Sequence, residues 1–129
     1  MKRTIFLIGY MGSGKSVIGK ELSKRILYTF YDLDYFIEMN EKLSINQIFD
    51  QKKELYFREI EKKYLKKLID KEENKIISLG GGTPCYSNNM DLILNTSNSE
   101  SIYLKRSVDL LVERLFENLS SRPLILHLK

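Results

Sequence analysis

Gly9-Tyr10-Met11-Gly12-Ser13-Gly14-Lys15-Ser16 fills every fixed position of the pattern G-x-x-x-x-G-K-[ST], and it follows directly on the apolar run 4–8. A chain carrying this segment is committed to a strand, a tight loop and a helix in that order. The loop glycines allow positive φ and let backbone N–H groups turn inward, while the N-terminus of the next helix adds its positive dipole. The site this predicts is for a nucleoside triphosphate. Gly12, Ser13, Gly14 and Val17 would line its phosphates, Lys15 would reach the β- and γ-phosphates, and Ser16 would ligate the Mg²⁺ that bridges them. A glycine turn with no ligand is the plain alternative. The helical spacing of Ile18, Leu22 and Ile26 after the loop argues against it.

The rest of the chain continues the alternation of strand and helix. Residues 15–27 read as the helix leaving the loop, and the β-branched and aromatic stretch 28–31 as a second strand that delivers Asp32 and Asp34 at its carboxyl end. Asp34 is also placed to cap a helix over 35–40. Ser44-Ile45-Asn46-Gln47 has the form of a capping box for a short helix through Phe49, and Phe57, Ile60, Tyr64 and Leu68 recur at helical spacing across 55–70. Residues 75–79 form a third strand running into Gly80-Gly81-Gly82, 101–105 a fourth, and 107–119 a last amphipathic helix, with the loop 95–100 between two elements. Such alternation implies a parallel sheet covered by helices, with ligands beyond the carboxyl ends of the strands.

At 129 residues the chain is read as a single domain over 1–129, with 43% apolar residues and a core of ordinary size. No stretch approaches the roughly 18 uninterrupted apolar residues of a membrane helix, and the apolar N-terminus is a strand rather than a leader. Cys85 alone cannot form an internal disulfide, and reads as a small filler beside a loop in a reducing, cytoplasmic setting. The formal charge of +4 does not call for nucleic acid. The lysines at 52, 53, 62, 63, 66, 67 and 71 alternate with Glu54, Glu59, Glu61, Glu72 and Glu73, the pattern of a solvated helix face.

Five segments in this order resemble shikimate kinase, a small relative of the nucleoside monophosphate kinases within the phosphate-loop superfamily. They are the phosphate loop from Ile8 to Ser16, Tyr31-Asp32-Leu33-Asp34, Phe57-Arg58-Glu59-Ile60-Glu61, Leu79-Gly80-Gly81-Gly82 and Arg122-Pro123-Leu124. The resemblance implies a three-layer αβα P-loop kinase fold with a parallel sheet of order 2-3-1-4-5. It also implies ATP-dependent phosphorylation of shikimate at its 3-hydroxyl, with Mg²⁺, in a cytoplasmic monomer that engages neither nucleic acid nor membrane.

Site roles follow from the resemblance residue by residue. Asp34, Arg58 and the backbone at Gly80, Gly81 and Gly82 would hold shikimate, the guanidinium fork of Arg58 meeting its carboxylate and Asp34 its hydroxyls. Asp34 would also orient or deprotonate the acceptor hydroxyl. Asp32 would support Mg²⁺ beside Ser16, and Glu61 would orient Arg58. Arg122 resembles the lid arginine that closes on the γ-phosphate, making Lys15, Asp34 and Arg122 the catalytic set, and Arg114 lies near an adenine-stacking position. Phe49 and Phe57 read as core. Each site residue has a plainer reading: Arg58 as an i, i+3 partner of Glu61, the three glycines as a turn.

The family pattern continues beyond Arg122 through the rest of the lid, a second substrate-binding arginine, a fifth strand and a terminal helix, which this sequence does not contain. An open sheet edge, lower stability or self-association is the expectation that follows. Two other readings share the phosphate loop: another small-molecule kinase, such as one for gluconate, and a nucleotide-binding domain without phosphotransfer.

Overall fold

The computed structural model describes residues 2–9, 15–80, 82–86 and 88–104. Strand β1 (Thr4–Gly9) leads to helix α1 (Lys15–Ile26), β2 (Thr29–Asp32), α2 (Leu33–Glu41), α3 (Ile45–Ile69), β3 (Lys75–Ser78), a 3₁₀ turn (Thr83–Cys85), α4 (Asn89–Leu94) and β4 (Ser99–Leu104). The four strands form one parallel sheet of order β2-β3-β1-β4, with β1 paired to β3 from Thr4↔Lys75 to Leu7↔Ser78 and to β4 from Thr4↔Ser99 to Gly9↔Leu104. This is the expected order for the first four strands. The helix expected over 107–119, Arg114 and Arg122 lie outside the described residues.

Parallel strands covered on both faces should be apolar throughout, and β1 is buried from Thr4 to Ile8 while β3 is buried along its length. One face packs Phe6, Ile8 and Ile77 against Leu33, Ile37, Phe57, Tyr64, Leu65 and Leu68; the other packs Ile5, Leu7 and Ile76 against Ile18 and Leu22 of α1. Helix α1 lies so close to the sheet that a Cβ on Gly19 would sit 2.2 Å from Phe30 Cε1.

The capping box is formed as its sequence predicts: Gln47 N donates to Ser44 Oγ at 3.1 Å and Ser44 N to Gln47 Oε1 at 2.8 Å. The short and the long helix expected over 45–49 and 55–70 are both present within Ile45–Ile69 and meet at a kink at Lys53, whose φ of 73° and ψ of 166° are not helical. The break lets the apolar faces before and after it turn toward the same core.

Four expectations change. Helix α2 begins at Leu33, so its N-cap is Asp32, which accepts from Tyr35 N at 3.2 Å, and Asp34 sits inside the first turn with its carboxylate released from capping. The lysines of 52–71 are all exposed, but Glu61 is not part of their solvated face: it is 1% exposed. Cys85 is exposed at the end of the 3₁₀ turn rather than filling space. Strand β4 starts at Ser99, inside the predicted loop, because Thr4 and Ile5 pair with Ser99 and Glu100 and Arg3 forms an ion pair with Glu100.

Candidate active site

The carboxyl ends of β1, β2 and β3 deliver their loops to one edge of the sheet, and two groups of residues form there. The first is the phosphate-side group. Lys15 opens α1 and its Nζ donates to Gly9 O at 2.6 Å, spanning the two ends of the predicted phosphate loop. Ser16 Oγ donates to Asp32 Oδ2 at 2.9 Å, while the other oxygen of Asp32 caps α2, so one carboxylate joins the start of α1 to the start of α2. Burial lowers the pKa of the Lys15 ammonium, and the Asp34 and Asp32 carboxylates oppose that shift. Val17 is exposed in the first turn of α1. Gly12, Ser13 and Gly14 lie outside the described residues.

Ser16 and Asp32 present two hard oxygens in contact, the donor chemistry that suits Mg²⁺. Among the described residues no group of three His, Cys, Asp or Glu side chains could hold a metal by itself.

The second group is assembled from three distant segments. Arg58 Nη1 donates to Glu61 Oε1 at 3.0 Å, and the other oxygen of Glu61 accepts from Thr83 Oγ1 at 2.8 Å. Glu61 thereby ties the arginine on α3 to the turn that follows β3. Thr83 is fully buried, and its carbonyl accepts from Asn89 Nδ2 at 2.9 Å, which anchors the turn to α4. Asp34 comes against the same turn: a Cβ on Gly80 would lie 2.9 Å from Asp34 Oδ1 and 3.0 Å from Thr83 Oγ1. The glycine is there for space. Gly82 is likewise close to Arg58 Nη2, 3.3 Å from where its Cβ would be, and Gly81 lies outside the described residues.

Asp34 links the two groups electrostatically. Its pKa is raised to about 6, first by burial and then by the carboxylates of Asp32, Glu61 and Glu38, while Lys15 pulls in the other direction. A carboxylate poised this near neutrality can accept a proton from a hydroxyl and return it.

The shikimate kinase family model matches residues 11–128. A shikimate kinase of Flavobacterium johnsoniae is 51% identical over 121 residues, an alignment that spans 94% of this chain and 70% of that protein.

The chain belongs to the shikimate kinase family.

Two solved structures agree in fold. A crystal structure of shikimate kinase from Bacteroides thetaiotaomicron superposes with a TM-score of 0.77 at 34% identity, covering 90% of this chain and 68% of that one. Shikimate kinase from Acinetobacter baumannii in complex with shikimate gives 0.76 at 26% identity, covering 94% and 66%. For a shikimate kinase family member, the described fold thus brings together Lys15, Ser16, Asp32, Asp34, Arg58, Gly80 and Gly82. Thr83 was not singled out from the sequence, where one threonine after three glycines carries no pattern. Its proximity to Glu61 is a tertiary fact.

Proposed function

We propose that this chain transfers the γ-phosphoryl of ATP to the 3-hydroxyl of shikimate, giving 3-phosphoshikimate and ADP, a step of aromatic amino-acid biosynthesis. The observation that carries the reading is the placement of Asp34: its carboxylate is coupled both to Lys15 of the phosphate side and to Glu61, the partner of Arg58. A phosphoryl donor site and a carboxylate-binding site are joined by one proton-accepting group. The gluconate alternative lacks a reason for Asp32-Leu33-Asp34 and Phe57-Arg58-x-x-Glu61, and membership of the shikimate kinase family sets it aside.

Phosphoryl transfer asks the protein mainly for alignment and for positive charge where negative charge spreads. Lys15 supplies that charge at the γ-phosphoryl, releasing Gly9 O as it does so. The backbone of Gly12, Ser13 and Gly14 cradles the phosphates, with Val17, Arg114 and the lid arginine Arg122 completing the nucleotide side. Ser16 and Asp32 would hold Mg²⁺, which when bound neutralises phosphate charge. Arg58, fixed by Glu61, receives the shikimate carboxylate as a planar fork, and Gly80, Gly81 and Gly82 let the substrate approach the backbone. Asp34 orients the 3-hydroxyl and takes its proton as the new O–P bond forms. Among the described residues no helix is long and apolar enough to cross a membrane, and our reading places the reaction in the cytoplasm, in a monomer with no nucleic-acid partner.

A coupled ADP-release assay with ATP, Mg²⁺ and shikimate, beside gluconate and no-acceptor controls, tests this directly. The expected result is ADP release that depends on shikimate. Nucleotide binding with ADP release indifferent to shikimate would overturn the kinase reading in favour of a nucleotide-binding domain.

A further inference from the structure

Arg58 is held by more than its carboxylate partner. Its Cζ lies 3.8 Å from the ring centroid of Tyr86, against 5.1 Å for Phe57 and 5.9 Å for Phe49. Only the Tyr86 distance is that of a guanidinium in direct contact with a ring face; the other two are longer contacts. Phe57 is buried and has a place in the core, and Phe49 packs against it with ring centroids 4.7 Å apart. Tyr86 differs from both. It is 41% exposed, follows the 3₁₀ turn, and belongs to neither core cluster, so burial of apolar surface gives little reason for its position.

The backbone beneath is shaped to admit the stack. A Cβ on Gly82 would lie 3.3 Å from Tyr86 Cε2 and 3.3 Å from Arg58 Nη2, crowding both partners. Gly82 has φ −101°, which any residue adopts, so room is what the glycine provides here. Glu61 fixes the guanidinium through Nη1 within its plane, but a hydrogen bond from one end leaves the plane free to tilt. Tyr86 covers a face and stops the tilt.

We propose that Tyr86 is a positioning residue for the acceptor carboxylate: its ring holds the Arg58 guanidinium flat, leaving in-plane donors presented to the incoming carboxylate before substrate arrives. The proposal rests on Arg58 as the carboxylate-binding residue. An arginine ordered in advance loses less freedom on binding, so the effect falls on acceptor affinity rather than on turnover.

The test is a double-mutant cycle with calorimetric Kd values for shikimate and for ATP and steady-state KM and kcat, on Tyr86→Ala, Tyr86→Phe, Arg58→Ala and Arg58→Ala/Tyr86→Ala. Tyr86→Ala should weaken shikimate binding by about threefold to tenfold, the range of a partly exposed cation–π contact, with kcat, ATP affinity and melting temperature unchanged. Tyr86→Phe should restore it, and in the Arg58→Ala background the Tyr86 change should have no further effect. Unchanged shikimate affinity in Tyr86→Ala, or an equal loss in both backgrounds, would overturn the positioning role while leaving Arg58 in place. Unchanged shikimate affinity in Arg58→Ala would remove the acceptor assignment itself, and the role of Tyr86 with it.

Discussion

The phosphate side and the acceptor side of this site are built by opposite strategies. Lys15 and Ser16 are adjacent in sequence, and they hydrogen-bond to Gly9, just before the loop, and to Asp32, at the end of the neighbouring strand. Arg58, Glu61, Thr83 and Asp34 come from three segments and form one network through a buried carboxylate and a glycine turn. A group set by local backbone tolerates changes in the surrounding core. One set by tertiary hydrogen bonds inherits the strength of its weakest buried partner, because an unpaired polar group inside costs about 1–3 kcal/mol. The two halves should therefore fail differently when damaged: the phosphate side in turnover with the fold intact, the acceptor side, where a buried hydrogen-bonding partner is removed, in affinity and stability together.

The largest break is expected at Lys15. Lys15→Ala removes positive charge from the transferring phosphoryl and should lower kcat by about 10²–10³-fold, the scale of losing one preorganised electrostatic contact, with shikimate Kd unchanged. Turnover within a few-fold of the parent chain would contradict the phosphate-side assignment.

Asp34 belongs to both halves, and its substitution should separate activity from stability. Its folded pKa of about 6 stands above the ordinary aspartate value of 3.8. Between those values the native state holds a proton that the unfolded chain has lost, so its contribution to stability grows as pH falls from 6 toward 4 and is least favourable above 6. Asp34→Asn removes that cost and should raise stability at pH 7–8 by on the order of 1–3 kcal/mol while abolishing most turnover. The parent chain should also lose activity as pH drops through about 6, where Asp34 takes up its proton. A melting temperature at pH 8 that falls in Asp34→Asn would show that the carboxylate stabilises the fold instead.

This contrast also explains what the sequence disclosed. The phosphate loop, the strand alternation and the Ser44–Gln47 capping box are local patterns, and periodicity or spacing exposes them. The break at Lys53 was legible as two helical stretches, since the residues between them carry no apolar stripe. Glu61 was misread in part, because a glutamate among lysines at 62, 63, 66 and 67 has the local signature of a solvated face, and only the approach of Thr83 buries it. Asp32 and Asp34 exchanged the capping role because a two-residue shift in the start of α2 decides which carboxylate meets the free N–H groups. Helix α4 is six residues long, too short for a period to declare itself, and the left-handed Asn88 that precedes it has φ 60°.

Thr83 offers a smaller and sharper break. Thr83→Val keeps the shape of the side chain and removes the donor to Glu61 Oε2, leaving a carboxylate that is 1% exposed with Arg58 bonded to its other oxygen. Stability should drop by about 1–3 kcal/mol, and shikimate affinity should fall while ATP affinity holds. Equal losses in both affinities would mean that the turn supports the whole site, erasing the distinction between its halves.

The smallest effect should come from the second carboxylate beside Arg58. Glu54 Oε2 lies 3.6 Å from Arg58 Nε, but its side chain is 56% exposed and Nε makes no hydrogen bond. An exposed pair of this kind is worth about 0.2–1 kcal/mol, whereas Glu61, at 3.0 Å and buried, also bears Thr83. Both glutamates carry the same formal charge and stand within one helical turn of the arginine, so charge alone would rank them as equals. Burial and hydrogen bonding separate them. Glu54→Gln should change shikimate KM by less than about threefold, the lower end of the cost of one exposed ion pair, while Glu61→Gln raises it tenfold or more by about the loss of a charge-assisted contact. Comparable shifts in the two variants would mean that Arg58 is steered by net negative potential rather than by the geometry of the Glu61–Thr83 pair.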